Sequence, residues 1–592
     1  MKTERKTRRS TGERRFEGVG VSSGIAIGTV HLVESGAVHV PEYPIEAGQV
    51  AEEQARFTKA VAFSQKQIRK LGAKAAGLHG AAAEEIGILL EAHLLMLSGS
   101  RVLRGVEHRI ERDRINAEAA VQAEISAVAQ EFAALDDAYI AARADDVREV
   151  GDRLIRNLTK TPYAAFTHLP EGTILVAEDL TPADTALMDP RLIGGFATLL
   201  GGAESHTAIM ARSLGLPAVL GVAGLMGAMR NGETLIVDGD EGLVVLRPRA
   251  DTLSEYRRRQ GVHERDKRVL ARISGLPAVT RDGTQIALFA NLELPRELAA
   301  GIEAGAQGVG LLRTEFMFMN RDSLPDEEEQ YLALKALVEG LGGRPLTART
   351  LDVGGDKLAQ ALAGLQGPGA NPALGLRAIR LSLKERPLLD AQLGAMIRAA
   401  AHGPLRILLP MISSLGELKQ VREAMQVVAR RLKRRGCKLP DPLPPLGVMI
   451  EVPGAALAAD ALAQEADFFA IGSNDLTMYT LAIDRGEEQE AHLYNPLHPA
   501  VLRLIQFATE AALRARIPVS ICGEIAGDPR YTPLLIGLGI RELSMAGQSL
   551  PRVKQRIRSL DFLSAARCAR LIMDQSDPGR IAALLDDFNA LA

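Results

Sequence analysis

The sequence predicts a multidomain α/β protein: an α/β domain carrying a reactive histidine, a helical subdomain inserted into it, and a (β/α)8 TIM barrel behind them. Three observations predict this. At 592 residues the chain is too long for a single core. Strand signals near residues 16–33 return at Thr173–Ala177, and the stretch between them reads as helix. After Pro277, short apolar strands alternate with helical patterns to the end, over roughly 300 residues, as a (β/α)8 barrel requires.

In chain order, residues 1–15 are basic and lack an apolar segment. They read as a disordered tail, with a nucleic-acid or partner arm as the alternative, and not as a secretory signal. Residues 16–46 and 161–249 form the α/β domain, whose later strand signals run through Leu235–Val237 to Leu243–Leu246. Residues 47–160 form the helical subdomain, with apolar residues at three- and four-residue spacing in segments 47–74, 81–98, 100–135 and 136–160. Residues 250–275 are highly charged and read as a linker helix, and 276–592 form the barrel. Its expected strands are Ile286–Asn291, Gly308–Arg313, Ala348–Val353, Leu374–Ala378, Leu405–Pro410, Gly447–Val452, Phe468–Gly472 and Pro518–Cys522.

Composition excludes several classes. A net charge of -3 offers no overall reason to bind nucleic acid. No apolar run is long enough to span a membrane. Cys437, Cys522 and Cys568 lie far apart, without metal-ligand spacing or a disulfide framework, so a reducing cytoplasm is expected.

The chemistry centres on residues 201–217, GGAESHTAIMARSLGLP. Ser205 reads as an N-cap and Gly215 with Pro217 as a stop. His206 then opens a short helix, where free N–H groups and the positive end of the dipole favour an anion. That makes it a candidate to carry a phosphoryl group; a turn histidine satisfied by hydrogen bonds is the alternative.

Polar residues gather at the ends of the barrel strands. Arg313 in GVGLLRTEF, Arg349 in ARTLDVGGD and Arg485 in NDLTMYTLAIDR come from separate βα segments and can converge on one small anion. Glu451 and the pair Asn474-Asp475 follow successive strands and form a hard oxygen site that suits Mg²⁺. A strand-end ion pair and a helix N-cap are their alternatives. Cys522 ends PVSIC among these charges, as an acid, a nucleophile or a small buried thiol. Neither a Walker A sequence nor a glycine-rich kinase loop is present, so phosphate chemistry appears without an ATP site.

From about Val19 onward the chain resembles the Enzyme I family of the bacterial phosphotransferase system, the phosphoenolpyruvate-protein phosphotransferases. The resemblance rests on GGAESHTAIMARSLGLPAVLG, GVGLLRTEFMFMNRDSLPDEEEQ, TLDVGGDK, NPALGLRAIR, GVMIEVPGAA, DFFAIGSNDLTMYTLAIDR and CGEIAGD, in this order. It implies that His206 is phosphorylated on Nε2, with Thr181 beside it. It implies that Arg313, Arg349 and Arg485, with Asn474 and Asp475, bind phosphoenolpyruvate, that Glu451 and Asp475 hold Mg²⁺, and that Cys522 protonates the enolate of pyruvate. The helical subdomain then docks an HPr-type phosphocarrier protein, with Glu84, Glu91 and His93 on the docking helix. The barrel makes a homodimer, and the histidine domain swivels between barrel and carrier. Glu204 stands where relatives usually have threonine. A dikinase of small molecules would need a large ATP-binding domain, and the helical segment occupies the place for one. A catalytically dead scaffold is opposed by the joint presence of the site residues.

Overall fold

The computed structural model describes residues 12–33, 40–75, 90–98, 101–133, 138–161, 169–180, 184, 188, 191–202, 205–318, 323–353, 374–483 and 493–591. The chain divides into two compact units, Met1–Asp266 and Lys267–Ala592.

The first unit is built on an eight-stranded mixed sheet. Its strands are β1 (Arg14–Glu17), β2 (Val19–Ser22), β3 (Ile25–Val33), β4 (Thr173–Ala177), β5 (Ile193–Thr198), β6 (Ala218–Leu220), β7 (Thr234–Asp238) and β8 (Leu243–Leu246), in the order β1-β8-β7-β3-β4-β5-β6-β2. The parallel run β3-β4-β5-β6 joins strands from either side of the helical segment, which is therefore an insertion. Strand β4 reads TILVA and is buried throughout, as expected where both faces are covered. The two-residue period sorts its neighbours: Ile174, Val176, Ala197 and Val219 pack on one face, Leu175, Ala177, Phe196, Ala218 and Leu220 on the other. The expected tail over 1–15 needs correction. Arg14 and Arg15 belong to β1 and pair antiparallel with Leu246 and Val245, and the Arg14 guanidinium lies 4.9 Å from the Phe16 ring. Residues 1–11 lie outside the described residues.

The inserted helices include Val50–Ala75, residues 90–96, Arg101–Asp113, Ala117–Ala133 and Ala138–Thr159. They share a core of Phe57, Ile68, Leu97, Val106, Ile110 and Leu154. The last two helices come so close that a Cβ on Gly151 would stand 2.7 Å from Ile125. The single helix expected over 100–135 is two helices. Arg114 adopts a left-handed φ of 51°, and buried Asn116 turns the chain by donating to Pro41 O at 2.7 Å and accepting from Tyr43 N at 3.1 Å. The charged segment after the sheet is one helix, Ala250–Ser274. Among the described residues, no helix is long and apolar enough to cross a membrane.

The second unit contains a closed parallel barrel of β9 (Ala287–Leu292), β10 (Val309–Arg313), β11 (Leu346–Arg349), β12 (Leu405–Leu409), β13 (Leu446–Ile450), β14 (Phe469–Ile471), β15 (Val519–Ile521) and β16 (Glu542–Met545). Seven of the expected strands match these. The strand expected at Leu374–Ala378 does not form. Gly375 has φ 81° and Ala378 φ 48°, both outside strand geometry, and Ala378 opens the helix Ala378–Lys384. The eighth strand is β16, where polar Glu542 and Ser544 interrupt the apolar pattern.

Candidate active site: the barrel mouth and the histidine helix

Ser205 caps the nine-residue helix His206–Leu214 by accepting from Ala208 N at 3.3 Å, and its own hydroxyl donates to Gly202 O at 2.8 Å. Gly215 closes the helix with φ 64°. The helix is pinned at several points. Thr207 Oγ1 donates to Leu180 O at 3.1 Å, Arg212 Nε donates to Val21 O at 3.0 Å, and Ala208 and Ala211 pack on the β4-β5-β6 face. Met210 enters the core of the helical insert. His206 is thus the first residue of a helix wedged between sheet and insert, at the end where N–H groups are unpaired within the helix. Thr181 and Glu204 lie outside the described residues.

In the second unit, the expected residues stand at the C-terminal ends of barrel strands. Arg313 ends β10 and Arg349 ends β11. Glu451 follows β13, Asn474 and Asp475 begin the helix Ser473–Leu481 after β14, and Cys522 follows β15. Arg485 lies outside the described residues.

Arg349 is the hub. Its Nη2 donates to Glu315 Oε1 at 3.0 Å and its Nη1 pairs with Asp352 Oδ2 at 2.9 Å. Arg377, just ahead of the helix Ala378–Lys384, donates from Nη2 to the other Asp352 oxygen at 2.8 Å and from Nη1 to Tyr479 OH at 3.3 Å. Both guanidinium Nε groups are buried without a hydrogen-bond partner among the described residues. Such donors are costly to leave unmade, and an anion satisfies them. Burial opposes ionisation of Asp352, but Arg349 and Arg377 overcome it and hold its carboxyl below the usual range. Arg313 pairs with Glu293 at the rim.

Carboxylate oxygens of Asp352, Glu451 and Asp475 lie within 4.8 Å of one another. Glu451 is 1% exposed, and its Oε1 accepts from Met411 N at 2.6 Å. Burial, then the charges of Asp475 and Asp352, push its carboxyl well above the usual range. A divalent cation relieves that repulsion, so these residues fit Mg²⁺. Both oxygens of Asp352 are engaged by arginines. Asn474 is set by Glu524: its Oδ1 accepts from Glu524 N at 3.0 Å and its Nδ2 donates to Glu524 Oε1 at 3.1 Å. Burial and then the charge of Glu451 push the Cys522 thiol up to about 12, so it holds its proton at neutral pH.

Asp352, Glu315, Arg377 and Tyr479 were not among the expected site residues. TLDVGGDK and NPALGLRAIR point to the segments of Asp352 and Arg377, but the pairing between them is tertiary. In the insert, residues 90–97 place Leu90, His93 and Leu97 inward and Glu91 and Leu95 outward. His93 is fully buried, so the expected contact of this residue with a carrier is corrected to a core position. Glu91 is exposed, and Glu84 lies outside the described residues.

Known proteins match the chain segment by segment. Residues 17–143 match the family model "PEP-utilising enzyme, N-terminal", 169–242 the mobile domain of PEP-utilising enzymes, and 267–562 their PEP-binding domain. The phosphoenolpyruvate-protein phosphotransferase of Cupriavidus necator is 40% identical over 586 residues, covering 96% of this chain and 98% of its own length. Its counterpart from Bacillus subtilis is 38% identical over 576 residues, covering 97% and 99%. That of Haemophilus influenzae is 37% identical over 574 residues, with the same coverage.

Proposed function

Since the chain belongs to the phosphoenolpyruvate-protein phosphotransferase family, a family of transferases, we propose that it moves the phosphoryl group of phosphoenolpyruvate to its own His206 and then to a histidine of an HPr-type carrier. The observation that carries this reading is the gathering of Arg313, Arg349, Glu451, Asp475 and Cys522 at one end of a closed barrel.

Phosphoryl transfer needs positioning and charge neutralisation more than covalent help. Arg313 and Arg349, with Asn474 and Asp475, bind phosphoenolpyruvate, and the resemblance of its segment adds Arg485 to the same clamp. Arg377, tied to Arg349 through Asp352, extends the cationic wall. Glu451 and Asp475 would hold Mg²⁺, which supplies Lewis-acid neutralisation of charge on the phosphoryl and enolate oxygens. The Nε2 lone pair of neutral His206 attacks phosphorus, a P–N bond forms, and the bridging O–P bond breaks. The enolate takes the Cys522 proton at its terminal carbon and leaves as pyruvate; solvent returns the proton to sulfur. His206 and the barrel belong to different compact units, and the proposed reaction includes the domain swivel that the family resemblance implies.

For the second step, the helical insert is the docking platform, supported by the contact of Met210 with its core. Glu91 and Leu95, the latter 68% exposed, form the contact face. A homodimer through the barrel unit completes the proposal, as the family resemblance implies.

Pyruvate release from phosphoenolpyruvate and Mg²⁺, without ATP, tests the reading. One pyruvate per chain is expected in a burst, followed by steady turnover when carrier is added. A requirement for ATP would contradict it in favour of a dikinase. Leu95→Asp should raise the KM for carrier by about tenfold or more and leave the burst unchanged.

A further inference from the structure

We propose that Glu293 is a stand-in anion for Arg313, a rim carboxylate that competes with phosphoenolpyruvate and sets the affinity of the site. This rests on the reading of Arg313 as a substrate ligand. Three arginines of the mouth each have an internal carboxylate on them: Arg349 has Glu315 and Asp352, Arg377 has Asp352, and Arg313 has Glu293. They differ in how readily they exchange. The side chains of Arg349 and Asp352 are 9% and 4% exposed, and parting such a buried pair leaves charges out of water. The side chains of Arg313 and Glu293 are 46% and 65% exposed, so water and salt screen their pair and little is lost when it opens. An incoming phosphate offers the guanidinium a two-pronged partner with more charge than one carboxylate. Exchange therefore occurs at Arg313, while the inner arginines stay preset.

The chain is built to keep Glu293 there. It is the first residue after β9, neighbour of the strand that Arg313 ends. The turn that follows is closed by Glu297, whose Oε2 accepts from the backbone N of Glu293 at 2.8 Å and of Leu294 at 3.2 Å. That capped turn limits the freedom of Glu293 to leave the rim. Glu293 touches no reacting atom in this account; it acts through Arg313 and is a positioning residue.

The test measures steady-state kinetics of the full chain with Mg²⁺, phosphoenolpyruvate and saturating carrier, for wild type, Glu293→Gln, Arg313→Gln and the double variant. Glu293→Gln is expected to lower the KM for phosphoenolpyruvate by about two- to fivefold, the range of an exposed ion pair, with kcat unchanged. In the Arg313→Gln background the same substitution should change nothing, because the pair is already gone. A change confined to KM and cancelled by loss of Arg313 is not what a general structural role produces. A KM raised by Arg313→Gln but unmoved or raised by Glu293→Gln overturns the inference alone. A KM unmoved by Arg313→Gln removes Arg313 from the substrate site and overturns both.

Discussion

Alanine at position 206 is expected to abolish phosphoryl transfer while phosphoenolpyruvate still binds the barrel. The substitution deletes the nucleophile, and removing one member of a catalytic set typically costs about 10⁶ in kcat. Binding should survive because the arginines and carboxylates proposed to hold the substrate belong to the other compact unit. The fold should survive too. The helix keeps its Ser205 cap, its Gly215 stop and the anchors from Thr207 and Arg212, none of which needs the imidazole. The measurements are pyruvate formation with carrier present, and calorimetric titration of phosphoenolpyruvate into the variant with Mg²⁺. A variant that retains a rate within about a hundredfold of wild type would remove His206 from the reaction path.

Glu451→Gln is expected to have the second-largest effect, with opposite signs for activity and stability. Glu451 is buried against Asp475 and Asp352, and its charge is disfavoured there until a cation arrives. Glutamine keeps an oxygen for the hydrogen bond from Met411 N and removes the repulsion. Without metal, the variant should therefore melt at or above the wild-type temperature. With Mg²⁺, wild type should gain stability by linkage and the variant should not. Activity should fall by about 10³-fold or more, since a lost ligand removes several kcal/mol of transition-state neutralisation. Melting curves across a Mg²⁺ titration, alongside pyruvate release, check both signs. A variant that melts lower without metal and still responds to Mg²⁺ would contradict the assignment.

Both sites lie where local sequence rules place them. His206 was legible because an N-cap, a short apolar-periodic run and a Gly-x-Pro stop are all local signals, and the helix forms between them. Arg313, Arg349, Glu451 and Cys522 were legible because each terminates a short apolar strand, and a barrel brings such ends together. What escaped depends on partners distant in sequence. Arg377 and Tyr479 are 102 residues apart, and nothing local marks the tyrosine as an arginine's neighbour. Strand β16 escaped because its polar residues find tertiary partners: Glu542 accepts from Arg406 at 3.2 Å, and Ser544 donates to Asn291 at 2.5 Å. The segment 374–378 misled for the converse reason. Its apolar residues alternate like a strand, but left-handed backbone at Gly375 and Ala378 turns it into a helix start that delivers Arg377 to Asp352.

Incubating the full chain with Mg²⁺ and phosphoenolpyruvate labelled in its phosphoryl group, without ATP or carrier, and mapping the label to a peptide tests the central claim most directly. The account predicts about one base-stable, acid-labile phosphoryl group per chain, located on His206 and discharged by an HPr-type carrier. Label on any other residue, or no label while pyruvate is still released, would contradict it.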